Sequence, residues 1–137
     1  MPAAIVNLPP LEAGALWEQP LQFEDETGAL ISLSNGYLRM QVRPEPESPI
    51  LLLDLDNVAI GGLALDGPGT TLTMTVLAPR SKDLALQGMQ QGLVTRDDGS
   101  KVLCRLGTWQ LEFTPEGASN PLRLCQGQLP IAPEGIR

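Results

Sequence analysis

Apolar and polar residues alternate at every second position through much of this chain of 137 residues, which is the period of a strand with one face buried. The cleanest run is Tyr37 to Arg43: Leu38, Met40 and Val42 point one way, and Tyr37, Arg39, Gln41 and Arg43 the other. A second limb, Ile50 to Asp56, sets Leu51, Leu53 and Leu55 against Ile50, Leu52, Asp54 and Asp56. Joined by the acidic, proline-rich bend Pro44 to Pro49, the two limbs read as a hairpin with Arg43 opposite Ile50. Val42 then meets Leu51, Met40 meets Leu53 and Leu38 meets Leu55, while Arg39 faces Asp54. A slip by one residue would turn charges into the core, so the alternation limits the register.

The same period recurs along the chain. Trp17, Leu21 and Phe23 share a face, and Pro20 between them suits an edge strand or a bulge. Asp25 to Gly28 reads as a turn, and Ala29 to Gly36 as a short strand ending at Asn35-Gly36. Leu72, Met74 and Val76 form an inward set with Thr71, Thr73 and Thr75 facing out, after a turn at Asp66 to Gly69. Around Ser81, a plausible N-cap with Asp83 in the first turn, one or two helical turns fit before Gly88 and Gly92. Residues 92–106 read as a hairpin closed by Asp98-Gly99. Trp109, Leu111 and Phe113 share an inward face, and Leu122 to Pro133 reads as a last pair of strands. Eight to ten short strands with one brief helix predict an all-β, antiparallel sandwich or small barrel.

Composition sharpens this picture. Fourteen glycines and thirteen prolines disfavour long helices and suit short strands joined by turns. The aromatic residues are Trp17, Phe23, Tyr37, Trp109 and Phe113 alone, so the core is expected to be aliphatic. Met1 to Leu16, with Pro9-Pro10, reads as an extended arm. Its apolar residues are too many for a solvated tail, so it either lies along its own domain or docks on a neighbour. The chain thus divides into an arm over 1–16 and a β-domain over 17–137.

A net charge of −7 with scattered basic residues argues against a nucleic-acid backbone as partner. No run reaches the ~18 apolar residues of a membrane helix, and the first residues lack a signal-peptide pattern. The expectation is a chain made in the cytoplasm, either kept there or delivered from there within an assembly. Cys104 and Cys125 are too few for a disulfide framework and read as partly buried free thiols.

The sequence has no histidine, which removes the usual general base near neutral pH, the Ser-His and Cys-His pairs and most zinc sites. The acidic clusters Glu24-Asp25-Glu26, Glu45 with Glu47, Asp54 with Asp56, and Asp97-Asp98 fall in turns or on solvent faces. Asp54, Asp56 and Asn57 offer alternate oxygen ligands but not the glycine-bent loop that calcium favours. Gly67 to Thr71 lacks the lysine and helix of a phosphate loop. The expectation is a non-enzymatic protein with no cofactor or metal.

Two stretches, Trp17–Arg43 and Thr108–Arg137, resemble small structural proteins encoded among the tail genes of bacteriophages and prophages. The pattern is an aromatic strand with Trp17 and Phe23, the Asp25 to Gly28 turn, an apolar strand with Ile31 and Leu33, then Tyr37-Leu-Arg-Met-Gln-Val-Arg43 and Pro44. Gly69, Leu72, Met74, Val76 and Ala78 are similar to the family's next strand. Trp109 to Phe113, Pro115-Glu-Gly117, Arg123 to Gly127 and Ile131 to Arg137 are similar to its end. The resemblance implies an immunoglobulin-like β-sandwich acting as a virion component at the baseplate or where tail fibres attach. It resembles in design the N-terminal modules of baseplate upper proteins. Implied partners are tail hub, baseplate or fibre proteins, with several copies per particle; a head decoration or neck protein, or a sugar- or peptide-binding module, are the alternatives. The arm and the 92–106 hairpin look like additions to the family core. Candidate interface residues are therefore Ile5, Val6, Leu8, Pro9, Pro10 and Leu11 of the arm, Glu45, Pro46 and Glu47 of the bend, and Arg96, Asp97 and Asp98 of the hairpin turn.

Overall fold

The computed structural model describes residues 4–132 apart from 83, 85, 87 and 88. In chain order its elements are β1 (Ala4–Ile5), β2 (Leu11–Glu12), β3 (Trp17–Gln22), β4 (Gly36–Arg43), β5 (Leu53–Asp56), β6 (Leu63–Leu65), β7 (Thr71–Val76), α1 (Ala78–Lys82), β8 (Gln91–Thr95), β9 (Lys101–Pro115) and β10 (Leu122–Ala132). Among the described residues the protein is therefore mostly β with one short helix. The expected roles of Asp83 and Gly88, and the motif residues from Pro133 to Arg137, lie outside the described residues.

β9 holds the larger sheet together because both of its edges are used. Along one edge it pairs with β10, from Phe113 opposite Leu122 to Arg105 opposite Ile131. Along the other it pairs first with β8 and then with β4. β5 lies beyond β4, and β1 and β2 lie beyond β10, while β3, β7 and β6 form a second, antiparallel sheet. The two sheets meet across one apolar cluster. Trp17, Leu63, Leu72, Met74 and Val76 of the small sheet join Leu38, Met40, Val42, Trp109, Leu111, Cys125 and Ile131 of the large one. The alternation read in β4, β7 and β9 is thus the alternation of burial.

The hairpin register is a correction. Val42 pairs with Leu53, Met40 with Leu55 and Arg39 with Asp56, two residues away from the expected pairing. A shift of two keeps every side chain on its face, so alternation cannot detect it. The bend decides instead. Ser48 N–H bonds to Glu45 O at 3.1 Å, Ser48 Oγ accepts from Ile50 N, and Leu52 N reaches Val42 O at 2.8 Å. This turn consumes Ile50 and Leu51, and Leu51, expected in the core, is exposed. Arg39 and Asp54 still meet, now diagonally, with Nε and Nη2 donating to the two carboxylate oxygens at 3.0 and 2.8 Å.

Three further expectations change. Residues 30–35 are not a strand, because they carry the chain from β3 in one sheet to β4 in the other. Leu33 is buried there, its N–H bonds to Gly69 O, and Ser32 Oγ donates to Pro68 O. Leu122 to Ala132 is one strand with an irregularity between Arg123 and Cys125, not two strands. Ser81 lies inside α1 and does not cap it. Its buried hydroxyl accepts from Gly14 N at 3.0 Å and lies within bonding distance of the Ala15 and Ala78 carbonyls.

The arm is the last correction, since it makes the large sheet mixed where an antiparallel one was expected. β1 and β2 both run parallel to β10, with Ala4 beside Cys125 and Leu11 beside Ile131. The pairing is interrupted around Pro9, Pro10 and Pro130, none of which has an N–H to give. Val6 N bonds to Gln126 O, Leu8 N to Gln128 O and Ala13 N to Ala132 O. Leu8 and Leu11 are buried in the chain's own core. The Trp109 indole, on β9, donates to Val6 O at 2.8 Å, across the intervening Gly127 of β10. A Cβ at Gly127 would collide with that carbonyl. Gly127→Ala is therefore expected to cost about 1–3 kcal/mol, the usual penalty of overpacking, and to deprotect the Val6, Leu8 and Ala13 amides in hydrogen exchange. Chemical denaturation and exchange measured on one sample check this; unchanged protection would contradict it.

Candidate functional site

The outward face of the large sheet forms a trough of about 840 Å³. Because side chains alternate along a strand, the residues flanking the core positions make its floor: Gln41 and Arg43 from β4, Thr108 and Gln110 from β9, and Gln126 and Gln128 from β10. Pro44 to Glu47 form one rim, Met89 and Gln90 another, and Ile5 and Asn7 of the arm contribute a third.

The floor is organised by its own hydrogen bonds. Gln41 Oε1 accepts from Arg43 Nη2 at 3.1 Å and from Gln110 Nε2 at 3.4 Å. Arg43 also donates through Nη1 to Ser48 O at 3.2 Å, which ties the bend to the floor. Asn7 Oδ1 accepts from Gln128 N, and Arg123 Nη1 donates to Gln126 Oε1. Carboxamides each carry two donors and an acceptor, so this surface matches polar partners of mixed hydrogen-bonding character, such as peptide backbone.

Several aspartates are employed elsewhere, in the protein's own turns. Asp56, which is buried, accepts through Oδ1 from Val58, Ile60 and Gly61 N–H at 3.1, 2.8 and 3.0 Å and through Oδ2 from the Tyr37 hydroxyl at 3.0 Å. The Gly61 N–H leads in holding its carboxyl below the usual carboxylate range, against the opposing effect of burial. Burial foremost, and then Asp56, push the Tyr37 phenol up. Asp25, Asp66 and Asp98 are likewise lowered, led by the Thr27 hydroxyl, the Thr71 N–H and the Ser100 hydroxyl respectively. Asn57 Oδ1 accepts from Leu38 N and its Nδ2 donates to Gly36 O. The oxygens weighed as calcium ligands thus face the protein's own donors, and among the described residues no three metal-binding side chains converge.

Both cysteines are free and fully buried, deeper than expected. Burial pushes the Cys125 thiol up to about 12 and raises Cys104 as well, which keeps both in the unreactive thiol form.

The candidate interface residues separate into three groups. Ile5, Glu45, Pro46 and Glu47 border the trough. Pro9, Pro10, Arg96, Asp97 and Asp98 come together with Glu12 around a smaller hollow of about 320 Å³, where Arg96 Nη2 meets Glu12 Oε1 at 2.7 Å. Val6 spends its carbonyl on Trp109, and Leu8 and Leu11 are core residues. The floor residues Gln41, Thr108, Gln110, Gln126 and Gln128 were not singled out from the sequence. The signal was their shared outward parity, but it becomes a site only once β4, β9 and β10 are known to be neighbours. No protein-family model matches the chain, and no curated protein matches it.

The carboxyl geometry sets a pH dependence. A carboxyl whose folded pKa lies below its unfolded value adds stability that is complete above the unfolded value and is lost as pH falls through the folded one. The contributions of Asp25, Asp56, Asp66 and Asp98 are therefore expected to disappear below their usual pKa of 3.8. Asp56→Asn retains an acceptor oxygen but cannot ionise, so its stability should fall less steeply between pH 5 and pH 2 than that of the wild type. Urea melts across that range check it; parallel acid limbs would contradict the assignment.

Proposed function

We propose that this protein is a non-catalytic β-domain that works by holding another protein against the trough on its large sheet. The observation that carries the proposal is the trough's floor, where the Gln41 carboxamide of β4 is held by Arg43 and by Gln110 of β9, and Gln126 of β10 is held by Arg123. Such a floor offers paired donors and acceptors and lacks a nucleophile or general base. The rim adds acidic side chains at Glu45 and Glu47 on a segment stiffened by Pro44, Pro46 and Pro49, which favours a partner with basic or polar edges.

The strand arrangement supports an immunoglobulin-like reading of the two sheets. Small-sheet order β3-β7-β6 faces large-sheet order β1-β10-β9-β4-β5. Naming strands by position, β3-β7-β6 correspond to B-E-D and β10-β9-β4-β5 to G-F-C-C′. That is the division between the sheets of a variable-type immunoglobulin sandwich, except that the arm pairs beside G and not beside B. In this reading β8 and α1 are insertions between the E and F positions.

The setting we propose is a bacteriophage particle, with the domain present in several copies at the tail, the baseplate or the attachment of tail fibres. Its support is the resemblance of Trp17–Arg43 and Thr108–Arg137 to small tail-gene products, which is a resemblance of strand motifs. Partners would be hub, baseplate or fibre proteins, and assembly would take place in the host cytoplasm.

Cryo-electron microscopy of particles carrying the protein tests both parts. The expected result is the domain at the tail, with a second chain within hydrogen-bonding distance of Gln110 and Gln128. Gln110→Ala should leave stability within about 0.5 kcal/mol, as for most surface substitutions, while reducing incorporation into particles. Particles without the protein would overturn the setting. A trough open to solvent in an incorporated copy would overturn the trough as the contact.

A further inference from the structure

β8 differs from every other edge of the two sheets. The β3 edge carries Pro20, β6 has three residues, β5 carries Asp54 and Asp56, and the arm's edge is broken at Pro9-Pro10. Short length, prolines and charges are the devices that keep an edge from pairing with another chain. The five residues of β8, Gln91-Gly-Leu-Val-Thr95, contain no proline and no charge. Among the described residues its only strand partner is β9.

The free edge of β8 is also oriented for pairing. Leu106 N bonds to Gln90 O and Arg96 N to Ser100 O, both at 2.8 Å. In an antiparallel ladder bonded and non-bonded pairs alternate, so residues 90, 92, 94 and 96 spend their backbone groups on β9. The N–H and C=O groups of Gln91, Leu93 and Thr95 then point to the open side. On one face of this hairpin Val94, Val102 and Cys104 pack with Ala132. On the opposite face Leu93 lies across from Leu103, with exposures of 70% and 38%. Two leucines in a close cross-strand pair are left in solvent.

We infer that β8 pairs with β8 of a second copy of this chain, antiparallel about a two-fold axis at Leu93. That register sets Leu93 opposite Leu93, Gln91 opposite Thr95 and Gly92 opposite Val94. It satisfies the outward backbone groups of all three odd residues on both copies. No like charges meet within the paired span, which would be destabilising in any strand pair. Leu103, Leu93 and their two symmetry mates form one apolar strip across four strands. Each body lies beyond the Gln91 end of its own β8, so a two-fold that sets the two β8 strands antiparallel places the bodies at opposite ends of the shared ladder. A self-complementary patch of this kind is what a closed dimer requires. The pairing does not depend on the setting proposed above.

Sedimentation of the full chain over a concentration series tests the inference, together with two kinds of variant. The wild type is expected to dimerise. Leu93→Lys should raise the dimer dissociation constant more than about tenfold without changing the circular dichroism spectrum, and Val58→Lys, at an exposed apolar residue far along the chain, should not change it. Leu93→Cys places two thiols on bonded partners whose Cα atoms lie about 5.5 Å apart, within disulfide reach, so mild oxidation should yield a covalent dimer on a non-reducing gel. Val58→Cys should not. A wild type that stays monomeric up to ~100 μM, where a dimer of even modest affinity would be populated, overturns the inference. So does a dimer unaffected by Leu93→Lys, or a Leu93→Cys chain no more readily cross-linked than Val58→Cys.

Discussion

The hydrogen bond from the Trp109 indole to the Val6 carbonyl, made over the bare backbone of Gly127, is the contact on which the large sheet's outer margin depends. It joins the first segment of the chain to the strand paired on both sides. A single neutral hydrogen bond contributes about 1 kcal/mol net, but this one also spares a buried indole N–H from being left without a partner. Once Val6 is held, Leu8 and Leu11 fall into the core and Ile5 and Asn7 stand at the margin of the trough. What composition describes as a proline-rich arm is, in the fold, an interrupted parallel strand.

The rest follows from where polarity is spent. Asp25, Asp56, Asp66 and Asp98 bind backbone N–H groups of their own turns, and Asp54 is matched by Arg39. In these five aspartates the charge is spent on the fold itself. Two features are left over: a floor of carboxamides on β4, β9 and β10, and an apolar, uncharged edge at β8. One suits a polar protein partner and the other suits the same sequence met in reverse. The two features adjoin, because Met89 and Gln90 of the trough's rim run directly into β8.

Much of this was legible in the sequence where physics acts locally. Leu38, Met40 and Val42 announced β4, and Leu72, Met74 and Val76 announced β7. The hairpin through Asp97, Asp98 and Gly99 closes as its turn chemistry implied, with Gly99 at φ 86° in the left-handed position of a three-residue loop. Pro20 marked an edge. What failed was non-local. Alternation is blind to a two-residue shift, so the Met40 to Leu55 pairing depended on how the Ser48 bend folds. Ile31 and Leu33 alternate like a strand, yet their N–H groups go to separate partners, Phe23 O and Gly69 O, so the segment crosses between the sheets without building a ladder of its own. The parallel arm could not be read from Pro9-Pro10, because the reason it docks lies at Gly127 and Trp109, more than a hundred residues away. The trough floor was hidden for the same reason, its glutamines being neighbours only across strands.

The most direct test of this account is the exchange rate of the Trp109 indole proton, followed by NMR in the intact protein. If the Val6 carbonyl accepts that proton within the folded core, exchange requires opening of the sheet and should be slowed to near the rate of global unfolding. An indole proton at Trp109 that exchanges as fast as that of an exposed tryptophan would mean the first segment is not held in the sheet, and the trough's margin would go with it.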